Sequence, residues 1–206
     1  REIAVVAFRG SEIWKREGML NLKKITADLL VNVDVRLEDW DRGGRVHAGF
    51  QRALDEVWQA LSAHLRTLAA DGRSIWFTGH SLGGALAVLA ADRYGEGSGL
   101  YTFGAPRVGD AEFADRFGVT GYRVVNHRDI VTRIPPRGVY RHVGEPRYID
   151  QNGRLHGLPA ESVEAVTDEA PPADASDNSY GWIPEPMRDH VPLLYAIHLW
   201  NNMVLK

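Results

Sequence analysis

The chain has 206 residues, 27 acidic and 24 basic side chains, a formal net charge of −3 and no cysteine. Its length suits one domain with a core that needs no staples; its balanced charge excludes a nucleic-acid partner, which needs a basic footprint; and the missing thiol excludes disulfides, thiolate metal sites and cysteine nucleophiles. The longest notable apolar run, Leu82 to Ala91, has 10 residues with two glycines in it, against the roughly 20 of a membrane span, so no transmembrane segment is expected.

The chain opens at Arg1 directly into Ile3-Ala4-Val5-Val6-Ala7-Phe8, an unbroken apolar run. No secretory signal is visible in the sequence. Either a secreted protein has lost its leader or the sequence starts inside a longer gene, and secreted and cytoplasmic locations both stay open. The run predicts a strand buried on both faces, as in a parallel sheet covered by helices. Val31 to Leu37 alternates strictly and predicts a half-buried strand nearer an edge. From Phe50 to Leu68 the apolar residues fall at helical spacing, predicting an amphipathic helix that stops near Gly72.

Ser74 to Thr78 reads as the next strand, Gly83 to Ala91 as a helix, and Leu100 to Phe103 and Tyr122 to Asn126 as further strands. Strands alternating with helices indicate an α/β fold with a largely parallel sheet. Strand pieces are expected around the Asn152-Gly153 turn signal. Residues 159–189 hold five prolines, eight acids and one base, Arg188. They read as a long surface loop with little core, its acidic middle loose and its far end anchored by Trp182 and Ile183. A last helix is expected from Pro192 to Met203. No repeat or second domain is visible, so residues 1–206 are read as a single domain.

Gly79-His80-Ser81-Leu82-Gly83 fits the G-x-S-x-G pattern, and it lies between a strand-like and a helix-like run. There the pattern makes a tight turn that presents the serine, and the glycines leave room for the close approach. A serine nucleophile needs a base, an acid to orient the base, and donors for the oxyanion. In this architecture the order is serine, acid, histidine. That order leaves His127, His142, His156, His190 and His198 as bases. Asp129, three residues beyond the Tyr122–Asn126 strand, is the favoured acid, whereas Asp110 is expected to cap a helix. Oxyanion donors are the backbone N–H of Leu82 and that of Ser11, which follows the bend at Gly10 after the first strand. His47 is read as a packing or hydrogen-bonding residue near the site, His80 as structural and facing away from the reaction, and His64 as exposed. No cluster has metal-ligand spacing, so no metal is expected.

These segments, in this order, resemble the class 3 lipase family of α/β-hydrolases. Phe8-Arg9-Gly10-Ser11 is similar to its oxyanion segment, Val46-His47-Ala48-Gly49-Phe50 to its helix entry, and Thr78 to Ala85 to its elbow. Tyr101 to Gly109, Asn126-His127-Arg128-Asp129-Ile130-Val131 and Tyr140 to Gly144 match further family segments. The resemblance implies an α/β-hydrolase fold, with a mostly parallel central sheet and helices on both faces. It implies hydrolysis of lipid esters with no metal or organic cofactor. Members commonly carry a short helical lid after the oxyanion segment. Glu12 to Lys24 stands there, somewhat longer, with Trp14, Met19 and Leu20 as expected lid and substrate residues touching the lipid–water interface.

His190 is preferred to His198 as the base. It precedes the last helix at the carboxyl edge of the sheet, whereas His198 lies about two turns inside that helix. Asp189-His190 with Tyr195 five residues after the histidine is also similar to bacterial and plant members. The expectation is therefore a serine carboxylester hydrolase using Ser81, Asp129 and His190, with triacylglycerols as first substrate class. Short-chain or feruloyl esterase and phospholipase A1 are the enzyme alternatives. A catalytically silent lipid-binding module is the alternative outside enzymes.

Overall fold

The computed structural model describes residues 2–10, 36–95, 98–168 and 185–204. In chain order the elements are β1 (Ile3–Phe8), β2 (Leu37–Asp39), β3 (Arg45–His47), α1 (Ala48–Ala70), β4 (Ser74–His80), α2 (Leu82–Tyr94), β5 (Ser98–Phe103) and α3 (Ala111–Arg116). Then come β6 (Thr120–Asn126), a 3-10 turn (Ile130–Arg133), β7 (Glu145–Ile149), β8 (Leu155–His156), α4 (Ala160–Asp168), a 3-10 segment (Glu185–His190) and α5 (Pro192–Val204). Six strands form one sheet in the order β1-β4-β5-β6-β7-β8. All its pairings are parallel except β7 with β8, which is antiparallel.

The helices start and stop where local chemistry tells them to. The ring of His47 caps α1 by accepting from the backbone N–H groups of Gly49 and Phe50, and Gly72 follows its end at φ +76°, a conformation glycine adopts at little cost. Phe50, Leu54 and Leu65 of α1 are buried with Ile75, Phe77 and Leu100 of the sheet. α2 presents Ala85, Ala87, Ala90 and Ala91 to that same core, and small side chains let a helix lie close to a sheet. Each buried Leu or Phe is worth about 1.5–3 kcal/mol.

Val124 and Val125 are neighbours on β6 and so point to opposite faces. Val125 packs with Tyr148 and Val163 of α4, and Val124 packs with Ile149 and with Tyr195 of α5. Helices therefore cover both faces of a mostly parallel sheet, as the sequence led one to expect. Asp92, buried on α2, accepts from Trp40 Nε1 at 2.6 Å and from the Arg116 guanidinium at 3.0 and 2.9 Å. That carboxylate ties the β2–β3 hairpin and α3 to the body.

Two expectations change. β1 is not buried on both faces: Ala4, Val6 and Phe8 join the core, but Ile3 and Val5 are 61% and 63% exposed. Among the described residues β1 has one sheet neighbour, and α5 covers their face at the β6 and β7 end instead. Secondly, residues 160–168 are a helix, not loop. The proline-free stretch after Pro159 has helical spacing, and Val163 anchors it, 1% exposed. Residues 185–190 are a 3-10 segment, while 169–184, with Trp182 and Ile183, lie outside the described residues. Of the strand expected over 31–37, residues 31–35 lie outside the described residues. Arg36 accepts from Ala48 N at 3.0 Å, and Leu37 opens β2, which pairs antiparallel with β3.

Candidate active site

Ser81 sits between the last residue of β4 and the first of α2, at φ 58° and ψ −131°. A non-glycine residue there stores about 1–3 kcal/mol of strain. The flanking glycines make the turn feasible. A Cβ on Gly79 would stand 2.2 Å from the carbonyl of Gly83, and one on Gly83 would stand 2.2 Å from the oxygen of Phe8. Leu82 opens α2, so its N–H belongs to the first turn, which has no intrahelical acceptor. Gly10 lies against the elbow: a Cβ there would be 2.7 Å from His80 O and 3.6 Å from Ser81 Cβ. Ser11, the next residue, lies outside the described residues, as do Trp14, Met19 and Leu20.

Asp129 follows β6 through a tight turn, closed by Asp129 N to Asn126 O at 2.9 Å. His127 takes φ 43° within it. The structure brings Ser81, His190 and Asp129 together. His190 Nε2 is 2.8 Å from Ser81 Oγ, and its Nδ1 is 2.9 and 2.8 Å from the two oxygens of Asp129. The three are 5%, 1% and 0% exposed respectively. A carboxylate only accepts, so Nδ1 carries the hydrogen and Nε2 is left to accept from the serine hydroxyl. The carboxylate also takes Val131 N at 2.9 Å and the Tyr195 hydroxyl at 2.6 Å. Tyr195 in turn accepts from Asn126 N at 3.0 Å. Burial, reinforced by Asp129, raises the Tyr195 phenol well above its ordinary value, so it remains a donor.

The base segment is tied to the acid turn by the residue before the histidine. Asp189 Oδ2 is 3.0 Å from His127 Nδ1 and accepts from Arg128 N at 3.0 Å, and Asp189 O accepts from Asn126 Nδ2 at 2.9 Å. His80 does not face away, as the sequence suggested. Its Nε2 lies 2.9 Å from the carbonyl of His190, and the two rings lie 4.4 Å apart. Strand alternation does turn it away from the core, but the Glu185–His190 segment and α5 wrap over that side. Burial first, then His190, lowers its pKa to about 4, against the opposing pull of Asp129 and the bond to the carbonyl.

The other histidines serve elsewhere. His198 is half-buried on α5, its ring close enough to Gly153 that a Cβ there would be 2.4 Å away. His142 bonds Thr132 O at 2.8 Å and His156 bonds Asp150 at 2.9 Å. His64 is exposed. Asp110 caps α3 by accepting from Phe113 N at 2.9 Å. Sequence reasoning missed the parts of Gly104 and Asp189; for Asp189 the available signal was its position beside His190.

In such a hydrogen-bonded series of serine, histidine and aspartate, the imidazole can take the proton of the serine hydroxyl and make its oxygen a nucleophile, while the carboxylate orients the ring and stabilises its charged form. A family model described as lipase (class 3) matches residues 5–139. The lipase of Rhizomucor miehei is 37% identical over 150 residues, covering 66% of this chain and 40% of that protein. A secreted mono- and diacylglycerol lipase of Fusarium solani is 38% identical over 117 residues, 52% of this chain and 35% of its own length. The solved structure of the Rhizomucor miehei triacylglyceride lipase superposes with a TM-score of 0.61 at 31% identity, covering 73% of this chain and 58% of that one. The chain thus spans well under half the length of those two sequence relatives.

Proposed function

The chain belongs to the class 3 lipase family, and from that premise we propose that it is a serine carboxylester hydrolase acting on lipid esters, triacylglycerols first. The hydrogen-bonded series Ser81–His190–Asp129 supports this most directly. Ser81 Oγ attacks the ester carbonyl while His190 Nε2 takes its proton, and the imidazolium then gives that proton to the leaving alcohol. Asp129 holds the ring in the right tautomer and stabilises its charged form. The N–H groups of Leu82 and Ser11 stabilise the tetrahedral oxyanion. Water, deprotonated by the same histidine, releases the acid from the acyl-enzyme.

Interface contact is part of the proposal and rests on sequence: Trp14, Met19 and Leu20 are apolar among charged neighbours in Glu12 to Lys24. Among the described residues no helix is long and apolar enough to cross a membrane. The Fusarium solani relative is named as secreted, which supports export of this protein as well.

Ser81→Ala tests the core of the proposal. A folded variant is expected to lose at least about 10³-fold in kcat, because such residues act as a unit. Activity above a tenth of the parent removes Ser81 from the mechanism. Covalent labelling by a fluorophosphonate separates an esterase from a silent lipid-binding module. Rates on an ester series crossing the solubility limit should step upward there; a smooth hyperbola would count against interface contact.

A further inference from the structure

His80 is next to the candidate nucleophile in sequence and next to the candidate base in space. Its Nε2 lies 2.9 Å from the main-chain oxygen of His190. A carbonyl only accepts, so Nε2 carries the hydrogen and donates. The ring lies 4.4 Å from that of His190 at 32°, and meets Tyr195 edge-on at 5.7 Å. The titratable groups facing it are His190, Asp129 and the Tyr195 phenol. Burial and His190 outweigh Asp129 and keep the ring neutral down to about pH 4, so its donor geometry persists while His190 takes and returns a proton.

The backbone at the base is held from two sides. Asn126 Nδ2 binds the carbonyl of Asp189 and ties the segment to the acid turn. The His80 ring binds the carbonyl of His190 and ties it to the strand that carries Ser81. Without the second tie, the distance from His190 Nε2 to Ser81 Oγ is set from the acid side and by α5 alone. Granted the catalytic series proposed above, we infer that His80 is a positioning residue: its Nε2–H holds the His190 carbonyl and thereby fixes the base against the nucleophile.

Two substitutions separate donor from ring. His80→Phe keeps the ring's bulk and loses the donor. His80→Gln loses the ring and returns an N–H near the place of Nε2. We expect His80→Phe to lower kcat about 10- to 100-fold with KM little changed, since misplacing reacting groups by as much as an ångström costs up to about 10². His80→Gln should recover most of that loss. A role in packing alone gives the reverse order, with Phe near the parent and Gln impaired, and that result overturns the inference. Equal impairment of both, or parent-level kcat in both, overturns it too. Thermal unfolding identifies a variant that does not fold, and the remaining one then decides: Phe at the parent's kcat, or Gln far below it, is the overturning result. Ser81→Ala measured alongside keeps the two proposals apart, because turnover surviving in that variant sinks the catalytic series whatever His80 does.

Discussion

Gly104 shows how much a missing side chain can matter. It follows β5 at φ +57°, and its N–H donates to Val124 O at 3.0 Å. A Cβ there would stand 2.6 Å from Asp129 Oδ2, 3.0 Å from His190 Nδ1 and 3.0 Å from the Tyr195 hydroxyl. The junction of acid, base and phenol therefore closes over the bare α-carbon. Gly104→Ala adds a left-handed penalty of about 1–2 kcal/mol and pushes on three buried polar groups that have little room to move. We expect kcat to fall about 10²-fold with KM within a few-fold and the protein still folded, measured by steady-state kinetics beside thermal unfolding. Parent-like kcat would show that the junction moves aside freely. The sequence reading ends a strand at Phe103, but nothing local tells which distant side chains pack on the residue after it.

At the scale of elements, the base arrives on a short 3-10 segment that relies on its neighbours for order. Asp189 joins this segment to the acid turn through His127 and Arg128, so Asp189→Ala leaves the Arg128 N–H to water. Both side chains of the His127–Asp189 pair are partly exposed, which limits the cost to about 1 kcal/mol. A lower urea midpoint with faster hydrogen exchange at the Arg128 amide is the expected outcome; unchanged exchange there would mean that the turn holds itself. What the sequence discloses about such elements follows from periodicity. β4, α2, β5 and β6 were legible because apolar runs and small-residue stretches alternate at strand and helix lengths. Ser81, Asp129 and His190 were legible as candidates because each follows a strand end or precedes a helix in the required order. α4 was hidden because nine helical residues were averaged into a long acidic, proline-rich stretch. The exposed face of β1 was hidden because an apolar run does not say which of its faces another element covers. The place of His80 was hidden because strand alternation gives the face but not what crosses it 110 residues later.

At the scale of the whole molecule, two half-buried histidines, His80 and His142, are held as neutral rings. His80 titrates at about 4, lowered by burial and then by His190. His142 lies well below its ordinary value, through burial and then the nearby Arg123 and Arg107 guanidinium groups. In the unfolded chain both rings take protons near pH 6.5. Below that pH the unfolded state binds protons that the folded state refuses, so stability falls as pH falls. The share from His80 levels off near pH 4, where the folded protein also protonates, while that from His142 continues lower. Asp110 adds a loss of the same sign at more acid pH. Burial opposes its charge, but hydrogen bonds from Phe113 N and Arg45 outweigh it and lower its pKa, so its stabilisation is present above the usual carboxylate value and disappears as pH drops through the folded one. Between pH 6 and 4.5 each histidine contributes a slope approaching about 1.4 kcal/mol per pH unit. Urea midpoints should therefore be flat from pH 8 to 7 and drop steeply below 6. His142→Gln removes one titrating ring and should make that acid limb roughly half as steep, whatever it does to stability at pH 8. An acid limb equally steep in this variant would mean that His142 is protonated in the folded protein, and that the Arg107 and Arg123 side chains do not shield it as their positions imply.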